Sequence, residues 1–158
     1  MGLGLALAAN LPMTNKSMNT DLHFFDGRKP TSHAPKILVI DEDPAVRRLV
    51  ERVLSQDGYC VLCAASGRQA LLLTRDADFE VVVLDLSLCD MDGFQLLKEI
   101  RSEFPLARVL VVSGFMESWL REIVIDAGAH AALAKPIVPR DLRVAVYRLL
   151  DPGCLWAG

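Results

Sequence analysis

Charged and polar residues stand at the ends of four apolar runs in this sequence. An acidic triplet at 41–43 follows the first run, Asp85 ends another, Ser113 ends a third, and Lys135 follows a fourth. If these runs are strands of one parallel sheet, their carboxyl ends share an edge, and ligands of such sheets bind there. We therefore expect the four groups to meet at one site.

The chemistry expected of such a site is phosphoryl transfer assisted by a divalent cation. Carboxylates that lie close together disfavour joint ionisation, so either a proton or a cation must compensate them. A hard cation such as Mg²⁺ takes one or two carboxylates, water and a phosphate oxygen. Lys135 would supply a charge and Ser113 a hydroxyl to phosphate oxygens, which leaves Asp85 as the nucleophile. An acidic residue after a strand is also often a helix N-cap, the role predicted for Asp43.

The elements that would position these residues alternate between strand and helix. Apolar runs predict strands at 37–40, 59–64, 81–85, 108–113 and 130–134. Apolar residues at helical spacing predict helices that open at Pro44 after Asp43, at Ser66 with Gln69 in a capping box, near 94–103, around 119–124, and at Pro139. This alternation predicts an α/β fold with a doubly wound, five-stranded parallel sheet of flavodoxin-like order 2-1-3-4-5.

Length and composition set the limits of the prediction. The 158 residues are 52% apolar and 23% charged, which excludes a disordered chain. A flexible extension is predicted over 1–35, the domain over 36–150, and a short tail over 151–158, with no output domain. The net charge of −3 and the scattered basic residues argue against nucleic acid as a partner. With no apolar run near the roughly 18 residues of a membrane span, we expect a soluble, cytoplasmic protein.

The four cysteines carry no clear metal or disulfide pattern. Cys60 and Cys63 form a C-x-x-C within a predicted strand, where residues three apart point to opposite faces and cannot grip one metal together. We expect them to be small buried apolar residues. Cys89 and Cys154 are isolated.

From about Lys36 to Leu150 the chain resembles the receiver domains of two-component response regulators, the CheY-like superfamily. The resemblance is carried by KILVIDEDP at 36–44, LDL at 84–86 with MDGF at 91–94, VVSG at 111–114, and AKP at 134–136. Each motif is modest by itself, but the set in this order and spacing is specific. A CheY-like fold and a role in phosphorelay signalling are what this resemblance implies.

The resemblance also implies a metal-binding and phosphoacceptor set. Asp41 and Glu42 match the family's acidic pair, with Glu42 at the position that usually ligates the metal, Mg²⁺ or Mn²⁺. Asp85 matches the phosphoacceptor, and the backbone carbonyl of Ser87 usually completes the protein's share of the ligands. Two departures are that Glu42 replaces the more usual Asp and that Leu88-Cys89 stands where Met-Pro is frequent.

The phosphate-binding and switch positions are implied in the same way. Ser113 matches the hydroxyl residue, Gly114 follows it, and Lys135 matches the phosphate-pairing lysine. Ala132 stands where many relatives have an aromatic switch residue. We therefore expect phosphorylation to be reported through Ser113 and the loop of Gly114 and Phe115.

The partners that the resemblance implies are a sensor histidine kinase or a histidine phosphotransfer protein, and a downstream protein target. The chain is expected to turn over no separate substrate. It would act as a monomer, or as a homodimer through helix 4, strand 5 and helix 5. Trp119 and Tyr147 would be contacts on that surface, or would simply pack.

Two alternatives remain at this point. Asp41-x-Asp43 after a strand resembles the nucleophile motif of haloacid-dehalogenase-type phosphatases, although Pro44 is unlike that motif and the later acidic pair is missing. The second alternative is a pseudo-receiver that binds proteins without phosphorylation, because Ala132 and the altered loop after Asp85 depart from the family pattern.

Overall fold

The strands and helices alternate along the chain as the sequence predicts. The computed structural model describes residues 33–151, so residues 1–32 of the predicted 1–35 extension, and residues 152–158 of the predicted tail with Cys154, lie outside the described residues. The strands are β1 Lys36–Ile40, β2 Cys60–Ala64, β3 Val81–Asp85, β4 Arg108–Ser113 and β5 Ala131–Ala134. The helices are α1 Pro44–Gln56, α2 Gly67–Asp76, α3 Gly93–Glu103, α4 Ser118–Asp126 and α5 Pro139–Leu150.

The strands form one parallel sheet in the order β2-β1-β3-β4-β5, which confirms the predicted topology. β1 is paired with β2 on one side and with β3 on the other. After β2 the chain crosses over β1 to form β3. This reversal of direction beside β1 opens a crevice at the carboxyl ends of β1 and β3, where ligands of open α/β sheets bind.

Helices cover both faces of the sheet, and the side chains of β1 alternate between the two cores. Leu38 and Ile40 lie in the core under α2, α3 and α4, which also contains Leu97. Ile37 and Val39 lie in the core under α1 and α5. Because successive strand residues point to opposite faces, a central strand of this kind must be apolar throughout.

The helix caps are those that the sequence predicts. The Asp43 carboxylate accepts the backbone N–H of Ala45 at 2.8 Å and begins α1. Ser66 Oγ accepts the N–H of Gln69 at 3.2 Å, while the Gln69 side chain accepts the N–H of Ala65 at 2.7 Å. The return bond of this capping box therefore reaches one residue before the cap.

The prediction that both cysteines of the C-x-x-C are buried is wrong for Cys60, which is exposed, while Cys63 is half-buried. The reason is that β2 is an edge strand, and Cys60 is its first residue. The strand geometry itself is as predicted, because Cys63 packs on the α1–α5 core whereas Leu62 packs on the opposite one.

Within residues 33–151 no helix combines the length and the apolar character needed to cross a membrane.

Candidate functional site

Strand register brings the predicted acidic residues together. Ile40 of β1 is paired with Leu84 of β3, so the next residues along these strands, Asp41 and Asp85, lie at the same level of the sheet. Lys135 follows β5 at the same edge. The carboxyl ends of separate strands therefore converge on one site, as the sequence predicts.

A cluster of two carboxylates and one ammonium occupies this edge. Lys135 Nζ lies 2.7 Å from Asp41 Oδ2 and 2.7 Å from Asp85 Oδ2. Each aspartate is only 3% exposed, and a buried charge is costly unless it is paired. Burial lowers the pKa of Lys135, but the hydrogen bonds to Asp41 and Asp85 outweigh it, so the pKa lies above its ordinary value. The lysine is therefore a permanent cation at neutral pH.

The second oxygen of each aspartate is held by the backbone that follows it. Asp41 Oδ1 accepts the N–H of Asp43 at 2.8 Å, and Asp85 Oδ1 accepts the N–H of Ser87 at 3.0 Å. Both bonds span two residues, as in Asx turns. Each carboxylate is thereby oriented with Oδ2 toward Lys135.

The end of β4 joins the site through its backbone and its hydroxyl. Ser113 is buried, and its carbonyl accepts the N–H of Lys135 at 2.9 Å. Ser113 Oγ accepts the N–H of Phe115 at 3.2 Å. Gly114 is exposed, and a Cβ there would meet nothing within 4 Å. The hydroxyl of Ser113 is thus fixed to the start of the β4–α4 loop.

Glu42 is the predicted site residue that the structure does not bring into the cluster. Its side chain is exposed, and its nearby carboxylate raises the pKa of the Cys89 thiol. Across residues 33–151, no three His, Cys, Asp or Glu side chains are placed to hold a metal together. Metal ligation by Glu42 stays a prediction.

The donors present fit a hard divalent cation. Asp41 and Asp85 offer two nearly buried carboxylates whose Oδ2 atoms already converge on one positive charge, the Lys135 ammonium. Oxygen donors of this kind suit Mg²⁺, which draws few ligands from protein and keeps several waters. The backbone carbonyl of Ser87 is the further oxygen predicted for this set.

Ala132 is buried at 3% exposure in the core under α2, α3 and α4. Its carbonyl accepts a hydrogen bond from Arg121 Nη1 of α4 at 2.7 Å. The strand position that lacks an aromatic side chain is therefore tied to α4 through its backbone. Sequence patterns gave no signal for Arg121, because its partner is a backbone atom on a different element.

Asp90 is a second residue that the sequence did not single out. Its two carboxylate oxygens accept the N–H groups of Gly67 at 3.0 Å and Arg68 at 2.9 Å, the first two residues of α2. Hydrogen bonds from Arg68 and Gly67 lower the pKa of Asp90. Each of these bonds joins residues more than 20 positions apart in the chain. The sequence alone therefore shows only an acidic residue in a loop.

Comparison with known proteins agrees with this geometry. Residues 37–147 match the family described as the response regulator receiver domain. The chain belongs to this family. It is a receiver domain of the type found in two-component response regulators. Receiver domains are signalling modules.

Three similar proteins show how far the likeness extends. The chain is 32% identical to the transcriptional regulatory protein AruR of Pseudomonas aeruginosa over 113 residues, 68% of this chain and 46% of that protein. It thus spans about half the length of this curated relative. The CheY-like receiver domain of Methanospirillum hungatei JF-1 is 29% identical with a TM-score of 0.71, over 75% of this chain and 95% of the other.

The third similar protein is a response regulator from Burkholderia pseudomallei, whose crystal structure contains a phosphorylated aspartic acid, a calcium ion and citrate. It is 28% identical to this receiver domain with a TM-score of 0.67, over 75% of this chain and 71% of the other. A phosphorylated aspartic acid and a calcium ion have therefore been observed in a protein that is similar to this one.

Proposed function

We propose that Asp85 accepts a phosphoryl group and that this receiver domain passes the signal on through protein contacts. The observation that supports the proposal is the contact of one ammonium, Lys135, with two nearly buried carboxylates at 2.7 Å. A cation beside a buried nucleophile is what phosphoryl transfer needs, since the reaction depends on positioning and on charge neutralisation.

In the proposed step a carboxylate oxygen of Asp85 forms a bond to phosphorus. If the donor is a phosphohistidine, its P–N bond breaks, and the imidazole nitrogen keeps the electron pair and takes up a proton. No oxidant or reductant is required. Lys135 would pair with a phosphoryl oxygen after transfer, as it pairs with Asp85 Oδ2 before it.

We propose Asp41, Glu42 and Asp85, with the carbonyl of Ser87, as the residues that hold Mg²⁺ or Mn²⁺. The cation would neutralise the charge that develops on the transferred phosphoryl group. Asp41 is oriented for this by the N–H of Asp43. The exposed side chain of Glu42 would have to turn toward the cluster to take part.

Ser113 and Gly114 are proposed to report the phosphoryl group. The hydroxyl of Ser113 can donate to a phosphoryl oxygen, and its Oγ at present accepts the N–H of Phe115. Moving the hydroxyl toward Asp85 would break that bond and free the start of the β4–α4 loop. With Ala132 in β5, no aromatic side chain is available at that position to amplify the change.

A sensor histidine kinase or a histidine phosphotransfer protein is proposed as the phosphoryl donor, and another protein as the target. The surface of α4, β5 and α5 is proposed for the target or for a second copy of the chain. Trp119 is half exposed there, Tyr147 is half-buried, and a groove of about 760 Å³ beside β5 is bordered by Arg121 and Arg148. We propose a signalling role rather than turnover of a separate substrate.

The test is incubation of the protein with a small phosphodonor and Mg²⁺, followed by intact mass measurement. The wild type should gain one phosphoryl group and Asp85→Asn none, whereas Asp43→Asn, which keeps a capping side chain, should still gain it. A haloacid-dehalogenase-type phosphatase would instead need Asp41 and tolerate Asp85→Asn. No mass gain in the wild type would contradict the proposal and favour the pseudo-receiver that only binds proteins.

A further inference from the structure

The loop between β3 and α3, residues 86–92, connects the phosphoacceptor strand to the next helix. Its residue Ser87 donates to Asp85 Oδ1 and is the proposed carbonyl ligand of the metal. The side chains of Ser87, Cys89 and Asp90 are exposed, whereas Leu88 and Met91 pack against the core. Core packing of Leu88 and Met91 therefore holds part of the loop, and its exposed polar residues make further contacts.

Asp90 supplies a contact between this loop and another helix. Its Oδ1 accepts the N–H of Gly67 at 3.0 Å and its Oδ2 accepts the N–H of Arg68 at 2.9 Å. The first N–H groups of a helix have no partner within the helix, and a carboxylate there is also favoured by the helix dipole. Both oxygens of one side chain are thus used to hold α2.

The backbone at Gly67 allows the loop to lie directly on α2. A Cβ at Gly67 would overlap the side chain of Met91, the residue after Asp90. At the end of the loop, a Cβ at Gly93 would lie 2.5 Å from the carbonyl oxygen of Leu86. The close approach of Leu86 and Gly93 therefore holds the two ends of the loop together, and Asp90 fixes its tip to α2. Ser87 lies between these two contacts.

We infer that Asp90 is a positioning residue for the phosphoryl-transfer site. By holding the tip of the loop on α2, it keeps Ser87 where its N–H orients Asp85 and where its carbonyl can meet the cation. Loss of this contact lowers the affinity for Mg²⁺ and slows phosphorylation, while the contact of Lys135 with Asp85 stays intact. The inference rests on the function proposed above.

Asp90→Ala in the full chain tests this, and Asp92→Ala is the matched control. Asp92 lies in the same loop and caps α3 by accepting the N–H of Gln95 at 2.9 Å, but it does not reach α2. Mg²⁺ affinity is measured by titration calorimetry without a phosphodonor, phosphorylation by intact mass against time, and loop order by amide hydrogen exchange at Gly67 and Ser87.

We expect Asp90→Ala to weaken Mg²⁺ binding about tenfold, the lower end for residues that orient metal ligands. Asp92→Ala should change it less than about twofold, although both variants lose a helix cap and similar stability. Asp90→Asn keeps one oxygen acceptor and should recover part of the affinity. Amide exchange at Gly67 and Ser87 should quicken in Asp90→Ala only, with or without metal.

Three results would overturn the inference: wild-type Mg²⁺ affinity in Asp90→Ala, an equal loss in Asp92→Ala, or unchanged exchange at Ser87 in Asp90→Ala. If the wild type itself neither binds Mg²⁺ nor gains a phosphoryl group, the proposed function fails and the inference fails with it. If the wild type binds Mg²⁺ and is phosphorylated, and Asp90→Ala behaves in the same way, only the positioning role of Asp90 is rejected.

Discussion

Lys135 Nζ and Asp85 Oδ2 lie 2.7 Å apart although 50 residues separate them in the chain. The same ammonium contacts Asp41 Oδ2 at 2.7 Å. The carboxyl ends of three parallel strands thus meet in one charge cluster. Its two aspartates are almost inaccessible to solvent, because each is 3% exposed. The charge balance of this cluster leads to the first prediction.

Lys135→Met should destabilise the metal-free protein by about 3 kcal/mol, since breaking a buried pair leaves uncompensated charge. Asp41 and Asp85 would then face each other without a cation. Mg²⁺ should restore more stability to this variant than to the wild type. Urea unfolding with and without Mg²⁺ measures both effects.

Lys98→Met is the control for this first prediction, because Lys98 is exposed on α3 and takes no part in the cluster. Its free energy of unfolding should change by less than about 0.5 kcal/mol. Equal effects of the two lysine substitutions would show that the cluster at Lys135 contributes no special electrostatic stabilisation.

Gly93→Ala should destabilise the fold by about 2 kcal/mol, in the range of overpacking in a close contact. The new Cβ would lie 2.5 Å from the carbonyl oxygen of Leu86 and 2.6 Å from its Cα, and backbone cannot yield as a side-chain tip can. Gly114→Ala is the comparison, since its Cβ would meet nothing within 4 Å. Denaturant midpoints of the two variants should differ clearly, and equal midpoints would contradict the described loop.

Phosphorylation, or a phosphoryl mimic, should shift the amide signal of Phe115 and speed its hydrogen exchange. The reason is that Ser113 Oγ, which now accepts the Phe115 N–H at 3.2 Å, would turn toward the phosphoryl group. Ser113→Ala should show the changed signal already before phosphorylation. An amide of Phe115 that responds in neither case would rule out this route of reporting.

His130 should make the stability of the protein depend on pH below neutrality. Burial, with a smaller effect of Arg101 and Arg108, lowers the pKa of His130 below the ordinary value of 6.5, and its Nδ1 accepts the N–H of Val109 at 3.0 Å. As the pH falls, His130 of the unfolded chain therefore takes up a proton at a higher pH than His130 of the folded protein. The contribution of His130 to the free energy of unfolding is complete above pH 6.5 and declines as the pH falls toward the folded pKa.

His130→Asn keeps an acceptor for the Val109 N–H but removes the titrating ring, so its unfolding free energy should vary less with pH over this window. Urea unfolding at several pH values compares the two proteins. A variant whose pH dependence equals that of the wild type would assign the effect to other groups.

Much of this fold could be predicted from the sequence because its signals are local. Apolar runs marked each strand, and caps such as Asp43 and Ser66 act on backbone two or three residues away. Asp41, Asp85 and Lys135 could be placed at one site because parallel strands direct their carboxyl ends to one edge. The family pattern then follows from residue types and their order.

Tertiary structure alone decided the contacts between distant elements. Asp90 meets α2 across the β3–α3 loop, Arg121 meets the carbonyl of Ala132, and Glu42 stays exposed instead of joining the cluster. These contacts depend on backbone atoms of distant elements or on side-chain rotamers, and the periodicity of residue types along the sequence predicts neither. The local sequence determines which groups reach the edge of the sheet, and packing of the loops above that edge decides which partner each group takes.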